Sequence, residues 1–142
     1  MLRTIALIAA VSISLAAAAQ ETPHKIDMTV VLQNEAGKPA TDEFDFIPTR
    51  DQPRCENCPP LTLGHAIAHA LFVQFPDERD LLAEQKWARG TLAMRIKDAK
   101  DAALSAEEVA VVKRLLAKLY GPIVVMQAFP LLDPNAKPPT VK

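Results

Sequence analysis

Cys55-Glu-Asn-Cys58, followed by His65 and His69, is where this sequence comes nearest to chemistry. Two cysteines separated by two residues have three uses. In an oxidising compartment they close a tight disulfide, and so short a loop would be shaped by the bridge more than the whole domain would be stabilised. The same spacing serves thiol oxidoreductases, which lower the nucleophile's pKa by seating it at a helix N-terminus. Here Pro59 and Pro60 intervene before the next helix signal at Thr62, and no thioredoxin-like alternation of strands and helices surrounds the pair. The third use is metal: Cys55 and Cys58 supply thiolates, and His65 and His69 lie at i and i+4 on one helical face, which together make a zinc-compatible set. The short spacer between Cys58 and His65 makes closure around one ion cramped. The expectation is a Cys55–Cys58 disulfide, with a zinc or thiol-redox site as the alternative.

No other constellation carries a definite reaction. Asp77, Glu78 and Asp80 suit the acidic first turn of a helix, and Asp98 and Asp101 suit a solvated helix end. There is no phosphate-cradling glycine loop, no Gly-x-Ser-x-Gly elbow and no His-Glu-x-x-His, and the whole chain contains 4 glycines from which to build a phosphate loop. The expectation is a non-enzyme without catalytic residues or cofactor.

The elements that must position these residues belong to an exported chain. Arg3 precedes an uncharged run from Ile5 to Leu15 and an alanine-rich stretch, the order of a secretory signal peptide. Small residues at Ala17 and Ala19 place cleavage between Ala19 and Gln20. The run is short for a membrane span, and nothing after it is long and apolar enough to cross a bilayer. Residues 1–19 are therefore read as the signal, 20–133 as one small domain and 134–142 as a proline-rich disordered tail. The predicted compartment is periplasmic or extracellular. Cleavage removes Arg3 and no acid, so 16 basic and 17 acidic side chains become 15 and 17, and the net charge moves from −1 to −2. With the basic residues scattered singly, that balance disfavours nucleic acid and anionic membranes and leaves protein as the expected partner.

Within the domain, Lys25 to Gln33 alternates Ile26, Met28, Val30 and Leu32 with Asp27, Thr29, Val31 and Gln33, the period of a strand buried on one face. Asn34 to Pro39 is turn chemistry, and Glu43 to Ile47 is expected to return as the second strand of an N-terminal hairpin. Residues 48–60 hold four prolines and both cysteines and should be loop. A first helix is expected from Thr62, its cap, to about Phe75 before Pro76. A second should run from about Asp77 to Lys97, with Trp87 as a core anchor and Gly90 a weak point. Ser105 and Glu108 form a capping box with Leu104 stapling onto Val109, so a third helix begins there. Gly121 is expected to end it as the C′ residue, and Pro122 to open a fourth helix reaching about Leu132, kinked or shortened by Pro130. The fold class is thus α+β, mainly α: a hairpin and about four short helices.

Taken in order, Lys25-Ile-Asp, Gly37-Lys-Pro39, Pro60-Leu-Thr-Leu-Gly64, Leu104-Ser-Ala-Glu-Glu108, Lys113 to Pro122, and then Val124, Val125 and Gln127, resemble a small uncharacterised family encoded in phages and prophages. The resemblance spans most of residues 25–133. It implies a β-hairpin packed with a short helical bundle and carries no catalytic residues across. Members of that family commonly begin near Lys25, whereas this chain adds the export signal, Cys55, Cys58, His65 and His69. The functional expectation is an exported, non-enzymatic binding or interaction protein, prophage-encoded. The alternatives are the zinc or thiol-redox protein already described and a cytoplasmic phage morphogenesis factor translated from Met28.

Overall fold

The computed structural model describes residues 25–44, 46–52 and 55–140. The predicted signal segment and the Ala19–Gln20 cleavage point lie outside the described residues. The rest is organised around helix α1, Leu63–Phe72, whose residues are buried apart from His65 and Phe72. Thr62 caps it, its Oγ1 accepting the His65 N–H at 3.3 Å. A helix buried on nearly every side needs small residues where neighbours cross, and Gly64, Ala66, Ala68 and Ala70 supply them. At Gly64 a Cβ would sit 3.1 Å from the Met28 Cβ and 3.2 Å from the carbonyl oxygens of Met28 and Ile96.

Helices α2, Ala83–Lys97, and α3, Ala106–Leu119, both pack on α1, and α4, Pro122–Leu132, packs on α3. Strand β1, Lys25–Asp27, pairs antiparallel with β2, Asp101–Ala103, in the register Lys25↔Ala103 and Ile26↔Ala102. The architecture is therefore α+β and mainly helical, with four helices and a two-stranded antiparallel sheet. Ile26, Met28 and Leu32 join Leu63, Ile67, Ile96, Val112, Leu115 and Leu116 in one core.

Burial alternates along Lys25 to Gln33 as the period of two requires, but the strand's partner differs from expectation. Glu43, Phe44, Phe46 and Ile47 lie in no strand; β1 finds β2 some 75 residues later. After the turn at Asn34 to Lys38, where Gly37 takes φ +71°, the chain returns as Pro39 to Thr41. That segment is shared between two neighbours: Ala40 N–H donates to the Leu32 carbonyl, and Leu61 N–H donates to the Ala40 carbonyl. Pro39, Pro59 and Pro60 lack the donors for a continuous ladder, so only isolated bridges form, Gln33↔Pro39, Thr41↔Pro60 and Val31↔Thr62.

Two helix expectations also change. The helix predicted to start near Asp77 is preceded by a single 3₁₀ turn, Pro76–Glu78, and becomes α-helical only at Ala83. Gly90 does not interrupt it. Gly121 follows the Tyr120 C-cap of α3 as its C′ residue, as the sequence indicates; Pro122 disfavours a helical conformation before it, and Gly121, extended at φ −71°, is also the N-cap of α4. Pro130 sits in the last turn of α4 without ending it, and both Pro130 and Met126, whose carbonyl it cannot bond, are exposed to water. The capping box is as read: Glu108 N–H donates to Ser105 Oγ at 3.2 Å and Ser105 N–H donates to Glu108 Oε2 at 2.9 Å.

Two polar locks tie the layers. Gln127 on α4 gives and receives with the Gln33 backbone, both bonds 2.8 Å, imitating a strand pair. Arg89 on α2 reaches the end of α1, donating to the carbonyls of Val73 at 2.8 Å and Ala70 at 3.3 Å, and pairs with Glu78 at 2.7 Å. It thereby satisfies helix-end carbonyls that have no intrahelical partner. Lys118 on α3 bridges to Asp77 and Glu78. Burial alone pushes the Glu78 carboxyl up, but Arg89 and Lys118 together outweigh it and hold the group below the usual carboxylate range.

Two outcomes follow from this packing. Gly64→Ala should lower the unfolding free energy by about 1–3 kcal/mol, since two of the crowding atoms are backbone oxygens that cannot rotate away; chemical denaturation measures it. Arg89→Met should cost about 3 kcal/mol or more at neutral pH by stranding the Glu78 charge. Because the folded Glu78 pKa is lowered, the pair's contribution is present above the unfolded value of about 4.3 and lost as pH falls through the folded value. Melts from pH 7 downwards should therefore show the gap between wild type and Arg89→Met narrowing in acid, to what the lost bonds to the Val73 and Ala70 carbonyls contribute.

Candidate functional site

The four residues singled out for chemistry divide into two pairs. Cys55 and Cys58 are bonded to each other, with Cα atoms 5.6 Å apart, in the loop where the prolines placed them. His65 and His69 share one face of α1, their ring centroids 6.0 Å apart. The structure does not assemble the pairs into one site: the sulfurs are spent on each other, and among the described residues no three His, Cys, Asp or Glu side chains stand in an arrangement that could hold a metal ion.

What the histidines meet instead is Asp42. Its Oδ2 is 2.7 Å from His65 Nδ1 and its Oδ1 is 3.6 Å from His69 Nδ1, so one carboxylate is shared by two imidazoles. His69 is almost fully buried, with Phe44 stacked over it at 3.9 Å and an interplanar angle of 10°. On its other side the Tyr120 hydroxyl lies 3.2 Å from Nδ1. Burial, and then the nearby Asp42 charge, push the Tyr120 phenol well above its ordinary value, so it stays protonated as a hydrogen-bonding hydroxyl at any physiological pH.

The loop is anchored on α1 by this cluster and by backbone. Asp42 N–H donates to the Pro59 carbonyl at 2.8 Å, closing the base of the loop opposite the disulfide. A carboxylate mostly removed from water is costly without polar partners; the His65 imidazole is at hydrogen-bond distance from it and His69 lies close by. The arrangement clamps residues 42–60 to the buried helix. Asp42, Phe44 and Tyr120 carried no signal in the sequence, because nothing local links position 42 to 65 or 120.

The second notable surface is the outside of α2. Trp87, read as a core anchor, is 77% exposed, with Leu82 63% and Met94 65% exposed on the same helix or its cap. The helical repeat explains the correction. At about 100° per residue, Ile96 lies nine residues and half a net turn from Trp87. Ile96 is fully buried, as are Leu92 and Ala93 nearly so, and Trp87 must therefore point to solvent. A groove of about 330 Å³ runs beside it, lined by Trp87, Ala88, Thr91, Leu92, Arg95 and Glu108. Arg95 and Glu108 bridge at 2.7 Å across its end.

No family model matches this chain, and no curated protein or solved structure matches it significantly. Among the described residues no helix is long and apolar enough to cross a membrane. A bonded cysteine pair is compatible with an oxidising, extracellular environment.

The disulfide closes four residues, which in the chain-entropy view contributes about 2 kcal/mol at most. Replacing both Cys55 and Cys58 by Ser should thus lower the melting temperature slightly while leaving the far-ultraviolet helix signal unchanged. Trypsin cleavage after the exposed Arg50 should accelerate; a chain that unfolds outright would show that the bridge does more than shape its loop.

Proposed function

We propose that this is an exported, non-enzymatic interaction module that offers the outer face of α2 to a protein partner. The observation that supports it most is Trp87. A large aromatic in mid-helix, opposite the core face and with exposed Met94 two turns along the same side, is the composition of an interface centre rather than of ordinary surface. Around it stand Glu84, Lys86 and Arg95, of mixed sign, which favours a protein surface over a polyanion or an anionic bilayer. The signal-like N-terminal segment and the Cys55–Cys58 bridge support export. The order of the Leu104 to Glu108 and Lys113 to Pro122 motifs supports placing the protein as an exported branch of the phage-encoded family, acting on an envelope or phage component.

A photo-crosslinking amino acid at Met94, in the full chain expressed with its own leader, tests this in the periplasm. A covalent adduct to protein, identified by mass spectrometry and abolished by Trp87→Ser, is the expected outcome. Illumination that returns only the uncrosslinked chain overturns it.

A further inference from the structure

The outer face of α2 is self-complementary, and we infer that its partner is a second copy of this chain, bound helix to helix in antiparallel across a two-fold axis. The inference rests on the interaction-module reading and names its partner.

Begin with the apolar stripe. With Trp87 as the reference, Met94 lies about 20° away around the helix, Ala83 about 40° and Gly90 about 60°. Nothing stands within 4 Å of where a Gly90 Cβ would be, so the stripe has a bulky aromatic at one point and an open floor one turn later. Large beside small on one face is the arrangement that lets two helices interdigitate.

Next the charges. Glu84 lies about 60° and Arg95 about 80° from Trp87, on the same flank. A two-fold axis perpendicular to the helices keeps each flank facing its own symmetry mate while reversing the order along the axis. If the axis passes beside Arg89 and Gly90, Glu84 of one chain meets Arg95 of the other, and the reverse contact forms at the opposite end. Glu84 is exposed, and Arg95, half exposed while bridged to Glu108, keeps guanidinium N–H groups for a second carboxylate. The same register sets Trp87 close to Thr91 of the second copy, which lines the groove of about 330 Å³ next to α2. Each indole would fill the other chain's groove. Opposed helix directions also bring the acidic first turn, with Glu84, alongside the basic last turn, with Arg95 and Lys97.

These contacts would remove on the order of 500 Å² from each chain, the low end for a specific interface, so the dimer should be in exchange with monomer.

Sedimentation equilibrium on the mature full-length protein tests the register by charge exchange. Wild type should show a reversible monomer–dimer equilibrium. Glu84→Arg places like charges together twice per dimer, as does Arg95→Glu, and each should weaken self-association by at least about tenfold. Mixing the two variants restores opposite pairs at both ends, so an equimolar mixture should dimerise although neither component does. Arg95→Glu also removes the bridge to Glu108; rescue by mixing shows that its defect lies at the interface and not in its fold, and Trp87→Ser, with near-native helix content, provides a second disrupting variant. A wild type that stays monomeric at every concentration, or a dimer indifferent to both charge changes and to Trp87→Ser, overturns the inference. If the protein is monomeric yet the Met94 crosslinker captures a different protein, the interaction module stands and the second copy falls. If neither self-association nor any adduct is seen, both fall.

Discussion

Enclosing α1 is the constraint from which most of the structure follows. A ten-residue helix covered on nearly every side has no solvent to satisfy its terminal carbonyls, and its neighbours must come close enough to exclude water. Gly64 and the alternate alanines permit the approach, and Arg89 supplies donors at the carboxyl end. That obligation places α2 with its guanidinium over Val73, and burying the guanidinium in turn recruits Glu78 and Lys118. Even so, Arg89 Nε is left as a buried nitrogen without a partner among the described residues. One desolvated cation thus fixes the mutual positions of α1, α2, the 3₁₀ turn and α3.

The same enclosure explains why Asp42 and Phe44 lie against α1. His69 is on a face of α1 that must be covered, and an imidazole there needs polar company. Phe44 covers it, Asp42 and Tyr120 address Nδ1, and Asp42 also holds His65. The disulfide acts at the far side of this loop, where four prolines have already reduced the freedom of the chain. Loop conformation is therefore set from its two ends, by a buried polar cluster and by a covalent bridge.

Helix α2 is built differently from α1. Its inner side, Leu92, Ala93 and Ile96, completes the core, while Trp87 and Met94 form a second apolar stripe on the opposite side. A helix apolar on two opposite faces is uneconomical for an isolated monomer, since the outward stripe stabilises nothing until something covers it. The mixed charges along its flank give that surface a direction and a register as well as an affinity.

Local physics was readable in the chain. The capping box at Ser105 and Glu108, the Thr62 cap, the Gly37 turn, the four helices and the α+β class all depend on side chains within four residues of the backbone they satisfy. The alternation from Ile26 to Leu32 likewise marked which side chains enter the core. Trp87 was readable in principle, because its spacing from Leu92 and Ile96 already put it on the opposite side of the helix. Other features depend on separations that no local pattern encodes. The partner of β1 lies beyond two helices, Asp42 meets His65 across 23 residues, and Tyr120 meets His69 only once α1 and α3 have packed. Whether two cysteines bond each other or join two histidines likewise turns on where a proline-rich loop comes to rest. Only tertiary packing decided those, because the energy of burying a polar group is settled by whichever distant donors the completed core brings within reach.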